Sequence, residues 1–368
     1  MNIDIDVSAR ETTPTWLAYA APAFTVLAAL AVGGLAMLVI DINPIDAYSF
    51  MFVETLTSRL GQEQTLIAAV PLVLAGLAVY LPLKAGLFNI GAEGQLVFGA
   101  LAGTWVGLNV SLPGPLLVTV MFLAGGIAGG ALAVIPAWLR AKYDINEIIT
   151  SLLLSFVALQ ILSYMVRGPM KGDSGNFPQT ARFSDAATIP VLPAFDRVHA
   201  GLLVALVLVA VTYVLMTRTR LGFEITFIGS NDEAATQAGM SKYKVYLLVF
   251  VLGGAFAGIG GISEVAGVQG RLRAGFEPGY GFTAIPIALL GRNSAVKVLL
   301  ASLFFALLFT GGTNMEIFLG IPAALVEVVQ ALIILFLITG EFFKSYRIDF
   351  SIGEDPAPTP AERARGDA

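Results

Sequence analysis

Two apolar runs, residues 65–83 and 96–110, flank the stretch Lys84-Ala85-Gly86-Leu87-Phe88-Asn89-Ile90-Gly91-Ala92-Glu93-Gly94-Gln95. A helix that crosses a hydrocarbon core needs about 20 mainly apolar residues. Inside lipid each backbone polar group must be satisfied by the chain itself, so only helices and closed barrels span. The glycines at 86, 91 and 94 interrupt a simple helix here, and Lys84, Asn89, Glu93 and Gln95 are polar at or near membrane depth. Irregular backbone and ionisable groups persist at that depth only where protein or a water-filled cavity satisfies them. Broken elements of this kind line solute paths.

The rest of the chain supports a membrane reading. Only 13% of its 368 residues are charged, and its mean hydropathy is +0.81. Soluble domains carry roughly 25% charged residues. The net charge of −5 comes largely from the polar ends, such as Asp4, Asp6 and Glu11 at one and Asp349, Glu354, Asp355 and Asp367 at the other. With no cysteine and one histidine, the chain has no thiolate ligands and no His cluster for a metal. Neither a metal cluster nor a nucleophile–base constellation appears, so we expect a non-enzyme without a cofactor of its own. The acidic N-terminus differs from the basic leader of a cleavable signal, and residues 16–40 read as a retained first helix.

Length and turn residues predict an all-α, polytopic helix bundle with about ten spans: 16–40, 65–83, 94–110, 114–138, 147–166, 200–217, 245–266, 282–291, 298–315 and 321–340. The element near 84–95 is expected to be broken or re-entrant, and 282–291 is a half-helix too short to cross alone. Residues 41–63 read as interfacial. Residues 1–15 form an N-terminal tail, 16–345 the transmembrane domain, and 346–368, rich in proline beyond 355, a disordered tail. An even span count places both termini in the cytoplasm, with Arg140, Lys142, Arg218, Arg220, Lys242, Lys244, Lys344 and Arg347 on the inner side. The polar connection 167–199 then lies outside.

Small residues recur at helical spacing: Gly99, Gly103 and Gly107; Gly125, Gly126, Gly129 and Gly130; Gly253, Gly254, Ala257, Gly258 and Gly261. Such faces let helices approach closely in lipid and are read as packing. Between the sixth and seventh spans, Gly229-Ser230-Asn231-Asp232-Glu233-Ala234-Ala235-Thr236-Gln237-Ala238-Gly239 predicts a short surface helix. Asn231 or Asp232 suits its N-cap, Glu233 its first turn and Gly239 its stop.

Glu233-Ala234-Ala235-x-x-x-Gly239 resembles the coupling sequence of ABC-transporter permeases, whose short helix docks in a cleft of the ATPase subunit. From about residue 15 to 345 the chain resembles the permease family for ribose, branched-chain amino acids and related solutes. The likeness is greatest to its nucleoside branch, served by basic-membrane-protein lipoproteins. It rests on residues 76–79, 86–95, Asn146-Glu147-Ile148-Ile149-Thr150, 218–223, 229–239, Gly279-Tyr280-Gly281-Phe282 and 288–293. Two positions depart from the branch: Ser155 stands where Asn is usual, and Ser294-Ala295-Val296 where His-Pro is common.

The resemblance implies a multi-pass permease subunit in the bacterial cytoplasmic (inner) membrane, N-in/C-in, importing nucleosides or related small solutes by alternating access. Its implied partners are an ABC ATPase that binds the ATP, a second permease, often a related paralogue, and an external solute-binding lipoprotein. No Gly-Lys pair exists for a phosphate loop, so ATP must bind elsewhere. An ion-coupled secondary transporter is the alternative, with Glu93, Glu264 and Glu327 as possible ion sites. Expected coupling residues are Asn231, Asp232, Glu233, Ala234, Ala235 and Gly239. For the solute path the candidates are Phe88, Asn89, Glu93 and Gln95. Phe88 either stacks on a base or packs in the core, while Asn89 and Gln95 offer donors and acceptors. Glu93 either accepts from ribose hydroxyls or caps the helix beginning near Gly94. Lys84 is expected to snorkel, Glu264 and Glu316 to lie at an interface or serve function, and His199 to be a solvated flank.

Overall fold

The computed structural model describes residues 2–9, 15–172 and 177–353. In chain order its elements are β1 (Asn2–Ala9), α1 (Thr15–Val39), α2 (Pro44–Tyr48), a π-helical turn (Ser49–Glu54), α3 (Thr55–Thr57) and α4 (Arg59–Lys84). Then follow α5 (Ala92–Asn109), α6 (Gly114–Tyr143), α7 (Glu147–Arg167), α8 (Gly201–Arg218), α9 (Arg220–Ser230) and α10 (Asp232–Gln237). The last are α11 (Lys242–Glu264), prolonged by a π turn (Val265–Gln269), α12 (Tyr280–Leu290), α13 (Ala295–Leu319), α14 (Ala323–Ser345) and β2 (Tyr346–Gly353). A helix overlies each of the ten expected spans. Among the described residues seven helices are both long and apolar enough to cross a membrane. The chain is therefore a multi-pass, all-α membrane bundle, with strand, among the described residues, confined to the terminal ribbon.

Contacts group the chain into two compact units, Ile45–Ile321 and the paired ends Met1–Pro44 with Pro322–Ala368. In the latter, α1 and α14 lie side by side, and a Cβ on Gly340 would meet the Thr25 side chain. Val326, Val329, Ile333 and Leu337 form one buried stripe of α14, whereas Glu327 is exposed. β1 and β2 pair antiparallel, with Ile3 opposite Ile352, Ile5 opposite Phe350 and Val7 opposite Ile348. Residues 346–353, expected in a disordered tail, thus form a strand. Both segments alternate apolar and polar residues with the period of a strand, a pattern that outweighs their polar average. The tail from 354 lies outside the described residues.

In the larger unit α4 is central and almost wholly buried from Ala69 to Pro82. A helix apolar on every side belongs inside other helices, and α4 is covered by α11, α12 and α13. The three small-residue faces meet one another. A Cβ on Gly99 of α5 would strike the Gly258 backbone of α11, one on Gly129 of α6 the Gly254 carbonyl, and one on Gly258 the Gly125 carbonyl. α5 fails as an apolar span because of its polar first turn, and it is buried instead. Within the connection after α7, residues 177–199 pack on the segment that follows α11: Thr180 N donates to Leu272 O (2.9 Å), and Phe183 N to Gly270 O (2.9 Å). Two connections expected to be separate thus form one surface at one end of the unit.

Candidate functional site

The break between α4 and α5 begins with proline chemistry. Pro82 has no N–H, so the Ala78 carbonyl four residues earlier loses its helical donor. Asn89 replaces it, its Nδ2 donating to Ala78 O at 3.3 Å. Gly86, at φ 76°, turns the chain back, and Leu87 N donates to Pro82 O at 3.0 Å. The break therefore folds against the last turns of α4. Asn89 and Gln95 also form a reciprocal amide pair, Nδ2 to Oε1 at 2.9 Å and Nε2 to Oδ1 at 3.0 Å. Both are fully buried.

Glu93, on the first turn of α5, is 0% exposed. Its carboxylate accepts from Gly279 N (2.9 Å) and Gly281 N (2.6 Å), the free amides at the start of α12. Glu93 is thus a cap, as one expectation held, but for the half-helix α12 and not for its own helix. The positive ends of α5 and α12 converge on one carboxylate, which offsets the burial of its charge. A Cβ on Gly281 would strike the Glu93 backbone, so glycine is required for this approach.

Phe88 stands apart from these residues. It is 38% exposed, and its N–H donates to Glu147 Oε1 at 3.3 Å. Asn146 caps α7 through Ile148 N (2.9 Å) and Ile149 N (3.2 Å), while Glu147 lies 3.3 Å from Arg140. Asn146-Glu147 therefore joins α6, α7 and the break. Ser155 accepts from Gly94 N at 3.2 Å, and a Cβ on Gly94 would meet its Cα. The small serine suits helices this close. Ser294 caps α13 through Val296 N at 3.3 Å.

The segment α9–α10 reaches the same break. A Cβ on Gly229 would strike the Lys84 carbonyl, so backbone lies on backbone between α9 and residues 84–86. Asn231 caps α10 by accepting from Ala234 N at 2.9 Å. Gly239, at φ 82°, closes it, with Gly239 N to Thr236 O and Met240 N to Ala235 O each at 3.0 Å. That is a Schellman stop. Asp232 pairs with Lys242 of α11 at 2.5 Å, and the ammonium holds its carboxyl below the usual range. Ala235 is buried, while Glu233 and Gly239 are exposed.

A cavity of about 430 Å³ opens between α4, α11 and α12, with Gln64, Ile67, Arg197, Glu264, Gly267 and Tyr280 in its wall. None of Phe88, Asn89, Glu93 and Gln95 lines it. Glu264, one of whose expected positions was an interface, is only 7% exposed, and Glu316 is exposed. Behind the cavity wall lies His199, 1% exposed and not a solvated flank. Its Nδ1 accepts from Gly201 N at 3.2 Å, and burial lowers its pKa to about 4. A Cβ on Gly201 or Gly267 would meet its ring. The neighbouring Arg197 made the position look polar, and of the two glycines that admit the ring, Gly267 is far along the chain and leaves no local signature.

Comparison with known proteins gives a consistent assignment. Residues 62–338 match the family model described as branched-chain amino acid transport system / permease component. The glucose ABC transporter permease protein TsgB13 of Haloferax volcanii is 65% identical over the full length of both chains. The guanosine ABC transporter permease protein NupP of Bacillus subtilis is 32% identical, over 90% of this chain and 95% of the relative. A putative glucose ABC transporter permease protein of Haloferax volcanii, TsgC13, is 28% identical over 66% of this chain and 74% of its own.

Proposed function

The chain belongs to the branched-chain amino acid transport system / permease component family, and from that premise we propose that it is the membrane subunit of an ATP-driven ABC importer for sugars, nucleosides or related small solutes. It works by alternating access in the cytoplasmic membrane, N-in/C-in. The observation that carries this reading is the α9–α10 segment. A capped, partly exposed helix is tied by Asp232–Lys242 to α11 and by Gly229 to the α4–α5 break. A partner that grips α10 can therefore move two buried helices together. The gripping partner is an ABC ATPase, which supplies the ATP site that this chain lacks.

Relatives named for glucose and for guanosine transport support a polyhydroxylated cargo, because both solutes carry a ring bearing hydroxyls. Two distinct permeases named for glucose in one organism support a related paralogue as the second permease. The surface formed by residues 177–199 and 270–274 is the docking face for an external solute-binding lipoprotein. Phe88 and the Asn89–Gln95 pair border the path and shift with it, and Glu93 holds α12.

Uptake by the assembled complex in proteoliposomes tests this function. Uptake should require ATP on the ATPase side. Glu233→Lys and Gly239→Pro should reduce uptake while ATP hydrolysis persists, because one reverses an exposed charge and the other removes the Gly239 N–H and its positive φ. Full uptake in both variants overturns the coupling role. Uptake driven by an ion gradient without ATP favours a secondary carrier.

A further inference from the structure

Resting on the permease reading above, we infer that the cavity between α4, α11 and α12 binds a neutral polyhydroxylated ring, either a free sugar or the ribosyl part of a nucleoside, through Glu264, Gln64 and Tyr280. Its volume of about 430 Å³ falls within the roughly 300–1,000 Å³ of small-molecule sites. Unused hydrogen-bonding capacity marks it as a binding site and not a packing defect. Glu264 is 7% exposed, and its one side-chain partner is Gln269, whose Nε2 donates to Oε1 at 3.3 Å. A carboxylate has about four lone-pair sites, so among the described residues most of the capacity of this cavity-lining group has no partner. Among the described residues neither the Gln64 amide nor the Tyr280 hydroxyl makes a hydrogen bond, although both residues line the same space.

This set selects a chemical class. A carboxylate and an amide oxygen accept from hydroxyls, and vicinal hydroxyls on a ring present two donors to one carboxylate. The Gln64 amide and the Tyr280 hydroxyl return donors to ring oxygens. A phosphorylated ring would place its anion against the buried carboxylate, so charge disfavours it. Arg197, also in the wall, is exposed. The wall also includes Gly267, which leaves room where any larger residue would meet His199.

The native chain has no cysteine, so a Gln64→Cys variant carries a single thiol for a small thiol reagent. In the complex assembled in proteoliposomes, glucose or guanosine should slow modification of that thiol, and glucose 6-phosphate should not. The arm that protects identifies the source of the ring. Glu264→Gln should raise the half-protecting concentration and the KM for uptake roughly tenfold or more, and Tyr280→Phe a few-fold. Uptake without protection, or protection and KM unchanged in both variants, overturns the cavity assignment and leaves the permease function standing. Protection without ATP-dependent uptake keeps the cavity and overturns the function. Absence of both overturns both.

Discussion

The Ala78 carbonyl, deprived of its donor by Pro82, ties the fate of Asn89 to a proline seven residues away. Asn89→Leu should leave Ala78 O and both the Oε1 and the Nε2 of Gln95 without the partner each has in Asn89, at about 1–3 kcal/mol for each group left unsatisfied. In a Pro82→Ala background the helix can supply its own donor, so the same substitution should be less destabilising. Thermal unfolding of the four proteins in detergent measures the difference, and equal losses in both backgrounds would refute the link. His199 yields a prediction with a sign. Its folded pKa, about 4, lies below its ordinary value of 6.5, so the unfolded chain binds the extra proton first. Stability should fall as pH drops from 6.5 towards 4, by an amount on the order of 3 kcal/mol. His199→Gln should flatten that slope, as followed by the unfolding temperature across pH. The sequence identified Asn89 as a polar residue at membrane depth, but its partners are a carbonyl exposed by a proline and an amide on the next helix. His199 was misjudged because burial here depends on Gly201 and Gly267, the second of which is 68 residues away.

At the scale of elements, the docking of α12 on α5 depends on one carboxylate and one glycine. Glu93→Leu should strand the Gly279 and Gly281 amides, whereas Glu93→Gln retains one acceptor oxygen. The leucine variant should therefore lose more stability, on the order of 1–3 kcal/mol for each stranded amide. Gly281→Ala should also destabilise, by about 1–3 kcal/mol, through overpacking against the α5 backbone. Purified variants compared by thermal unfolding check both, and a leucine variant as stable as the glutamine one would remove Glu93 from the cap. Helix positions were legible because long apolar runs and their turn residues are local signals. Asn231 and Gly239 bounded α10 as expected for the same reason. The partner of Glu93 was not legible, since the amides that it accepts from lie 186 and 188 residues further on. The strand at residues 346–353 was missed because proline and charge beyond it dominated the composition of the tail.

Across the larger unit, residues 177–199 merge with 270–274 into a single face, the one proposed above to dock a solute-binding lipoprotein. Neutralising Arg167, Lys171 and Arg182 together should slow lipoprotein-dependent uptake, most at low ionic strength, because exposed charges govern encounter more than affinity. An unchanged rate at low salt would locate docking elsewhere. A thiol introduced at Arg182 should react with an impermeant reagent from outside intact cells, and labelling only from inside would reverse the N-in/C-in orientation. The interlocked glycines of α5, α6 and α11 have a mechanical consequence for the cycle. Where Gly99, Gly129, Gly254 and Gly258 meet, backbone rests on backbone, and no side chain is available to change rotamer and absorb a displacement. These three helices therefore behave as one stiff plate. In the alternating-access cycle proposed above, the plate would tilt as a unit and the shear would be taken up at its borders, where longer side chains can slide.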